Sequence, residues 1–253
     1  RVLFRSVYDI YKGLELSNQE LENAQYYAEL SEPTEESTLF AKQLMSKPEY
    51  AELVAKIQEQ ANLLPPSGAI AGIYCANDNQ RGVWHAPANM SVSGISDINV
   101  RISDKQQGEL NENTSGKCIN AIRAFQGKGI LVWGARTLDG LSSEWKYISV
   151  RRFFNYVEES IQESTAWAVF QPNDANTWVK VRCQIENFLS NLWRDGALAG
   201  STPQEAFYVR VGINQTMTAQ DILNGYMIVE IGMAAVRPAE FIVLQFSHKL
   251  QES

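Results

Sequence analysis

The feature that most limits what this chain can fold into is a pair of apolar stripes between Ser149 and Gly196. After Ser149, the residues Val150, Phe153, Phe154, Val157 and Ile161 recur at the spacing of one helical face. Arg151, Arg152, Asn155, Glu158, Glu159 and Gln162 fall on the opposite face. Ser149 is placed to cap the start, because its hydroxyl can accept from backbone N–H groups that lack helical partners. A second stripe, Trp178, Val181, Ile185, Phe188, Leu189, Leu192 and Trp193, predicts another helix, stopped at Gly196. Between the two, Trp167-Ala168-Val169-Phe170 reads as a short buried strand and Gln171-Pro172-Asn173-Asp174 as a turn. Such a pair is a framework and carries no chemistry by itself.

Three strands are expected after it: Ala206–Val211, Gly225–Ala234 and Phe241–His248, with Arg237-Pro238-Ala239-Glu240 separating the last two. Phe207, Val209 and Val211 alternate with Tyr208 and Arg210, the pattern of a half-buried strand. This order predicts an α+β domain over 146–253 with a mostly antiparallel sheet. In the last strand Phe241, Ile242, Val243, Leu244 and Phe246, interrupted by Gln245, supply apolar side chains to both faces. The chain then turns polar at Ser247 and His248. A strand so near the end of the chain can lie at a sheet edge and offer its backbone to another molecule.

Residues 1–145 read differently. Asn18–Leu30 and Pro48–Leu64 are expected helices, the second with Tyr50, Leu53, Val54, Ile57 and Ala61 on a common face, and Pro65-Pro66-Ser67-Gly68 ends it. Ala69–Cys75 is a compact apolar run expected as a buried strand, followed by a polar turn over Asn77–Gly82 and a loop anchored by Trp84. Asp97–Ile102 reads as a short strand, Cys118–Phe125 as a short helix or loop, and Gly129–Ala135 as a strand covered on both faces. Strands alternating with helices predict an α/β layered domain over 1–145. The chain opens at Arg1, inside what reads as an element, so this domain is expected to lack its N-terminus.

Charge and cysteine usage narrow the partners. Between Glu15 and Glu59 stand ten glutamates against three lysines, which accounts for the whole net charge of −7. The acidic helical segment 15–64 reads as a solvated outer surface. Nucleic-acid binding is not expected, because it needs a basic patch to neutralise phosphates. Nor is membrane insertion, since no apolar run approaches the ~20 residues that span a bilayer. Cys75, Cys118 and Cys183 are an odd number without C-x-x-C spacing, which fits synthesis in a reducing cytoplasm. Cys183 lies beside the second stripe and is expected to pack there as a small hydrophobe.

Catalysis is not expected either. A Ser-His-Asp hydrolase needs a base beside its nucleophile, and only His85 and His248 are present. No G-x-S-x-G elbow occurs. Ser115-Gly116-Lys117-Cys118 has Cys where a phosphate loop needs Ser or Thr for magnesium, and the upstream glycine is missing. Cysteine and histidine show no zinc spacing. No catalytic, cofactor-binding or metal-binding residue is therefore assigned, and no cofactor is expected. One basic cluster stands out: Lys146, Arg151 and Arg152, leading into the first of the two helices. It either faces a partner or is used internally, with Arg151 or Arg152 paired to Glu158 or to an internal carboxylate.

The segments WKYISVRRFFNYVEESI, WAVFQPND, TW and GALAGSTPQEAFYVRVG together resemble the C-terminal part of contractile tail sheath proteins. PPSGAIAGIY, RGVWHAPAN, INAIRAFQGKGILVWGARTL and RPAEFIVLQF agree with the same family and run in the expected order from Pro65 to Phe246. The stretch before Pro65 matches poorly. The resemblance implies a subtilisin-like fold for the layered domain and a structural role in a phage tail, a tailocin or another contractile injection system. It implies hexameric rings stacked helically around an inner tube, shortening to drive that tube through an envelope. The implied partners are copies of the chain itself, the inner tail tube protein, and the baseplate and tail terminator proteins. Phe241–His248 would be exchanged between neighbours, and Lys146, Arg151 and Arg152 would face the tube or a neighbouring subunit. The protein would be made in the bacterial cytoplasm and end in a virion tail or tail-like particle. A second reading, an unusual or degenerate α/β hydrolase, is disfavoured by the poverty in histidine and nucleophile motifs.

Overall fold

In the computed structural model of the chain, the described residues are 34–111 and 116–241. The expected helix Asn18–Leu30 and residues Ile242–His248 of the expected last strand lie outside them. Two compact units divide where Pro65-Pro66 interrupts the chain, one over Arg1–Pro65 and one over Pro66–Ser253. In the first, α1 (Glu35–Met45) and α2 (Pro48–Ala61) are joined by Ser46 and Lys47. Pro48 occupies the first turn of α2, where its missing N–H is not needed, and Glu35, Glu36 and Glu49 sit in first turns, where negative charge complements the helix dipole. The sequence had suggested α2, although it ends at Ala61 rather than Leu64; α1 was not foreseen.

The second unit opens with a correction. Ala69–Cys75 is not a strand and Asn77–Gly82 is not a turn: both lie in one helix, α3 (Ser67–Arg81). Ile70, Ile73 and Asn77 follow helical spacing; Ile73 and Asn77 are buried, and Ile70 packs against the same core. A run of adjacent apolar residues hid that period, because short apolar runs suit strand and helix alike. Gly82, at φ 96, takes the chain out of the helix.

A three-stranded antiparallel sheet follows, in the order β1–β3–β2, from β1 (Met90–Ser91), β2 (Ala121–Phe125) and β3 (Gly129–Trp133). Cys118–Phe125, expected as a helix or loop, supplies β2. Gly127 and Gly129, at φ 76 and 80, form the tight link between β2 and β3, a backbone conformation that glycine adopts freely. Adjacent Leu131 and Val132 are both buried, so β3 is covered on both faces as expected. Val132 packs with Ile73 and Val92. Asp97–Ile102 is not a strand. Asp97 accepts from the Ile98 N–H and pairs with Arg101, while Val100 stays exposed, so a strand there would have no face to bury. The short helix α4 (Asp104–Asn111) lies beyond it.

The two stripes form α5 (Ile148–Ser164) and α6 (Ala175–Arg194). Phe153, Val157, Val181, Ile185 and Leu189 meet in a single core. Against it packs an antiparallel pair, β4 (Phe207–Val211) and β5 (Val229–Met233), in register Val209 to Ile231. Two short helices, α7 (Pro203–Ala206) and α8 (Ala219–Leu223), flank β4. The fold is thus mixed, with helices on antiparallel sheets, an α+β arrangement.

Three local expectations fail here. Ser149 does not cap α5; Tyr147 stands at the N-cap without a side-chain bond, and Ser149 is buried in the first turn. Trp167–Phe170 is not a buried strand but a 3₁₀ turn over Ala166–Ala168 followed by an exposed tip, with Phe170 at φ 64 and its side chain fully open. Cys183 is exposed. At ~100° per helical residue it points about 200° away from Val181 and from Ile185, so it cannot share their face.

Candidate inter-subunit site

At the head of α5, the three basic residues are placed differently. Arg152 is used inside the chain: Nη1 donates to Asp78 Oδ1 at 2.9 Å, Nη2 donates to Oδ2, and the guanidinium lies 4.8 Å from the Tyr74 ring centre. The bond to Asp78 raises the pKa of Arg152, and the bond from Arg152 holds Asp78 below the usual aspartate range. Burial pushes the Tyr74 phenol up, against the pull of the Arg152 charge. Arg151 is exposed and stacks 4.8 Å over Trp145, and Lys146 Nζ stands 5.9 Å from the Tyr147 ring. Arg151 and Arg152 share a cleft of about 610 Å³ with Tyr74, Arg136, Leu138 and Ile148. Of the two internal partners open to an arginine here, Arg152 takes an internal carboxylate, the half-buried Asp78, rather than Glu158.

The last described residues form a second arrangement. Phe241 is 69% exposed, and immediately before it Glu240 accepts from Arg136 Nε at 2.8 Å and from Nη2 at 2.7 Å. Tyr147 adds a donated bond from its hydroxyl at 3.3 Å, and burial together with the Glu240 charge raises its pKa. Arg237 Nη1 donates to the Ser143 carbonyl at 2.7 Å. Sequence reasoning missed Asp78, Arg136 and Glu240. Asp78 lay inside a segment read as a turn, and Glu240 inside one read as a spacer, so neither carried a periodic signal.

The histidine of the loop at Trp84-His85 is exposed, and its backbone carbonyl accepts from Asn77 Nδ2 at 2.9 Å. Trp84 beside it meets Phe153 edge-on at 6.3 Å, so this loop serves the core. The Cys118 thiol donates to the Asn111 carbonyl at 2.8 Å and is buried. Among the described residues no group of three or more His, Cys, Asp or Glu side chains could hold a metal ion, and no helix is long and apolar enough to cross a membrane.

Residues 142–249 match the family described as the phage tail sheath C-terminal domain. The fold matches a chain of an extracellular contractile injection system, the PVC sheath complex in its contracted state, at 47% identity and TM-score 0.70, over 74% of this chain and 51% of that one. A chain of the anti-feeding prophage baseplate matches at 49% identity and TM-score 0.69, again over 74% of this chain and 51% of that one. The tail sheath protein of Vibrio phage KVP40 is 23% identical over 192 residues, 76% of this chain and 27% of that protein. The chain is thus similar to contractile tail sheath proteins, and the similarity to their C-terminal domain covers residues 142–249. It spans about half the length of the solved chains it matches, and a smaller share of the Vibrio phage protein.

Proposed function

We propose that this chain is a structural subunit of a contractile tail sheath, polymerising as stacked rings around an inner tube and shortening to drive the tube through a target envelope. The observation that carries this reading is the match to the PVC sheath chain at 47% identity and TM-score 0.70. Its partners are then copies of itself, the inner tube protein, and the baseplate and tail terminator proteins. The likeness to a chain of the anti-feeding prophage baseplate supports the baseplate contact. Synthesis in the bacterial cytoplasm and incorporation into a tail or tail-like particle follow from the same role, which requires no catalysis.

Within that role, Phe241–His248 is the strand offered to a neighbour, a reading supported by the exposure of Phe241 where the segment begins. Of the basic cluster, Arg151 is the side chain we assign to the tube or to a neighbouring subunit, with Lys146 beside it; Arg152 contributes through its hold on Asp78. The division at 145/146 and an α/β layered domain over 1–145 follow from the change in element pattern along the sequence, and a subtilisin-like form for that domain from the family resemblance.

Electron microscopy of the complete protein, expressed alone, tests the central claim. Tubular, sheath-like polymers are the expected outcome. Dispersed globular particles at every concentration and salt tried would overturn it.

A further inference from the structure

The stretch after β5 is fastened twice before the last described residue. Ala234 and Val236 stay tied to the turn after α6: Ala199 N donates to the Ala234 carbonyl at 2.7 Å, and Val236 N to the Ala197 carbonyl at 3.2 Å. The chain then crosses to the loop that follows β3. There Arg237 reaches Ser143, and Glu240 takes the two-pronged grip of Arg136.

Arg136 is itself held from several sides. Its N–H donates to Asn120 Oδ1 at 2.9 Å, and its carbonyl accepts from Asn120 Nδ2 at 2.8 Å. Nη1 donates to the Asn111 carbonyl at 3.0 Å. The side chain is only 4% exposed. Gly140 closes the site so tightly that a Cβ there would stand 3.3 Å from Arg136 Cδ and 2.1 Å from Cys118 Sγ. A bidentate guanidinium–carboxylate pair shielded from water is directional and strong, and here its cationic half cannot shift without disturbing several backbone partners.

We propose that Arg136 and Glu240 are positioning residues that form a mechanical anchor, through which force on the segment following Glu240 enters the body of the subunit. The inference rests on the reading that Phe241–His248 pairs with a neighbour. In a shortening lattice such a strand is pulled. Without the anchor, the pull would reach Arg237 and Val236 and then the end of β5 at Met233, breaking its bonds to β4 one after another. With it, the load stops at Glu240 and passes through Arg136 into the sheet that ends at Trp133.

The test is single-molecule pulling of the complete protein, with Cys75 and Cys183 replaced by serine. Handles are attached by cysteine at Lys128 and Ser253, then at Lys128 and the exposed Leu223 as a control direction. Wild type is compared with Glu240→Ala and Glu240→Gln at constant force. Pulled through residue 253, the dwell time before first rupture is expected to fall about tenfold or more in Glu240→Ala, the scale of a lost charged hydrogen bond. Glu240→Gln, which keeps the shape and one acceptor, should be intermediate. Pulled through residue 223, all three should agree within about twofold, as remote independent sites do. Equal shortening in both directions would mark an ordinary stabilising contact and overturn the anchor, as would wild-type dwell times in the variants. Should Glu240→Ala fail to fold, Glu240→Gln decides by the same two directions. Deleting 242–253 and looking for sheaths tests the strand reading separately. Normal sheaths there would remove strand pairing whatever the pulling shows, whereas lost sheaths with unchanged dwell times would leave the strand and remove the anchor.

Discussion

Arg152 and Asp78, 74 positions apart, join α5 to α3 through two parallel hydrogen bonds, with Tyr74 stacked on the guanidinium. The hydrogen bond from Arg152 is the main reason the Asp78 carboxyl titrates low, and partial burial opposes it. A carboxylate whose native pKa is depressed adds stability that is present above its unfolded value, near 4, and is lost as pH falls through the native value. The thermal midpoint of wild type minus that of Asp78→Asn should therefore stay level from about pH 7 to pH 5 and shrink below about pH 4. Parallel curves for the two proteins down to acid unfolding would show that the pair contributes nothing.

Adjacent arginines should behave differently when reversed. Arg152→Glu sets two carboxylates against each other in a partly buried place and should destabilise the fold by about 2 to 3 kcal/mol in urea titrations. Arg151→Glu changes an exposed side chain and should stay within about 0.5 kcal/mol of wild type. If Arg151 meets a partner, its reversal should weaken sheath assembly most at low salt, because exposed charges are screened over ~8 Å at physiological ionic strength. Equal stability losses for the two variants would contradict this assignment.

Gly140 has no room for a methyl group, since its added Cβ would stand 2.1 Å from the buried Cys118 sulfur. Gly140→Ala should destabilise by about 1 to 3 kcal/mol, the usual range for overpacking. Cys118→Gly removes both obstructing atoms, the sulfur and the Cβ at 2.5 Å, so the double variant should lose less than the sum of the two single variants. Additive losses in denaturant melts would mean that the clash is relieved elsewhere.

Asp174 begins α6 by accepting the Thr177 N–H at 3.0 Å. Asp174→Ala should lower stability by about 1 kcal/mol, and Asp174→Ser should restore most of it, since either side chain can satisfy an otherwise unpaired backbone donor. Calorimetric unfolding of the three proteins checks this, and no difference between Ala and Ser would sink it.

The sequence by itself determined the elements whose signal is local and long. The stripes of α5 and α6 span many turns, and the alternation in β4 is set against Tyr208 and Arg210, so the period identifies the element before any partner is known. The ordered run of sheath-like segments was legible for the same reason, being a property of the chain alone. Tertiary structure decided the rest. Ala69–Cys75 became part of a helix because Ile73 and Asn77 are buried on one side of it, which a short apolar run cannot announce. Trp167–Phe170 lies open because no strand comes alongside it among the described residues. The meetings of Arg152 with Asp78 and of Arg136 with Glu240 join residues 74 and 104 positions apart. Hydrogen bonds of that kind depend on where two distant backbones are held, and side-chain spacing along the chain contains no such information.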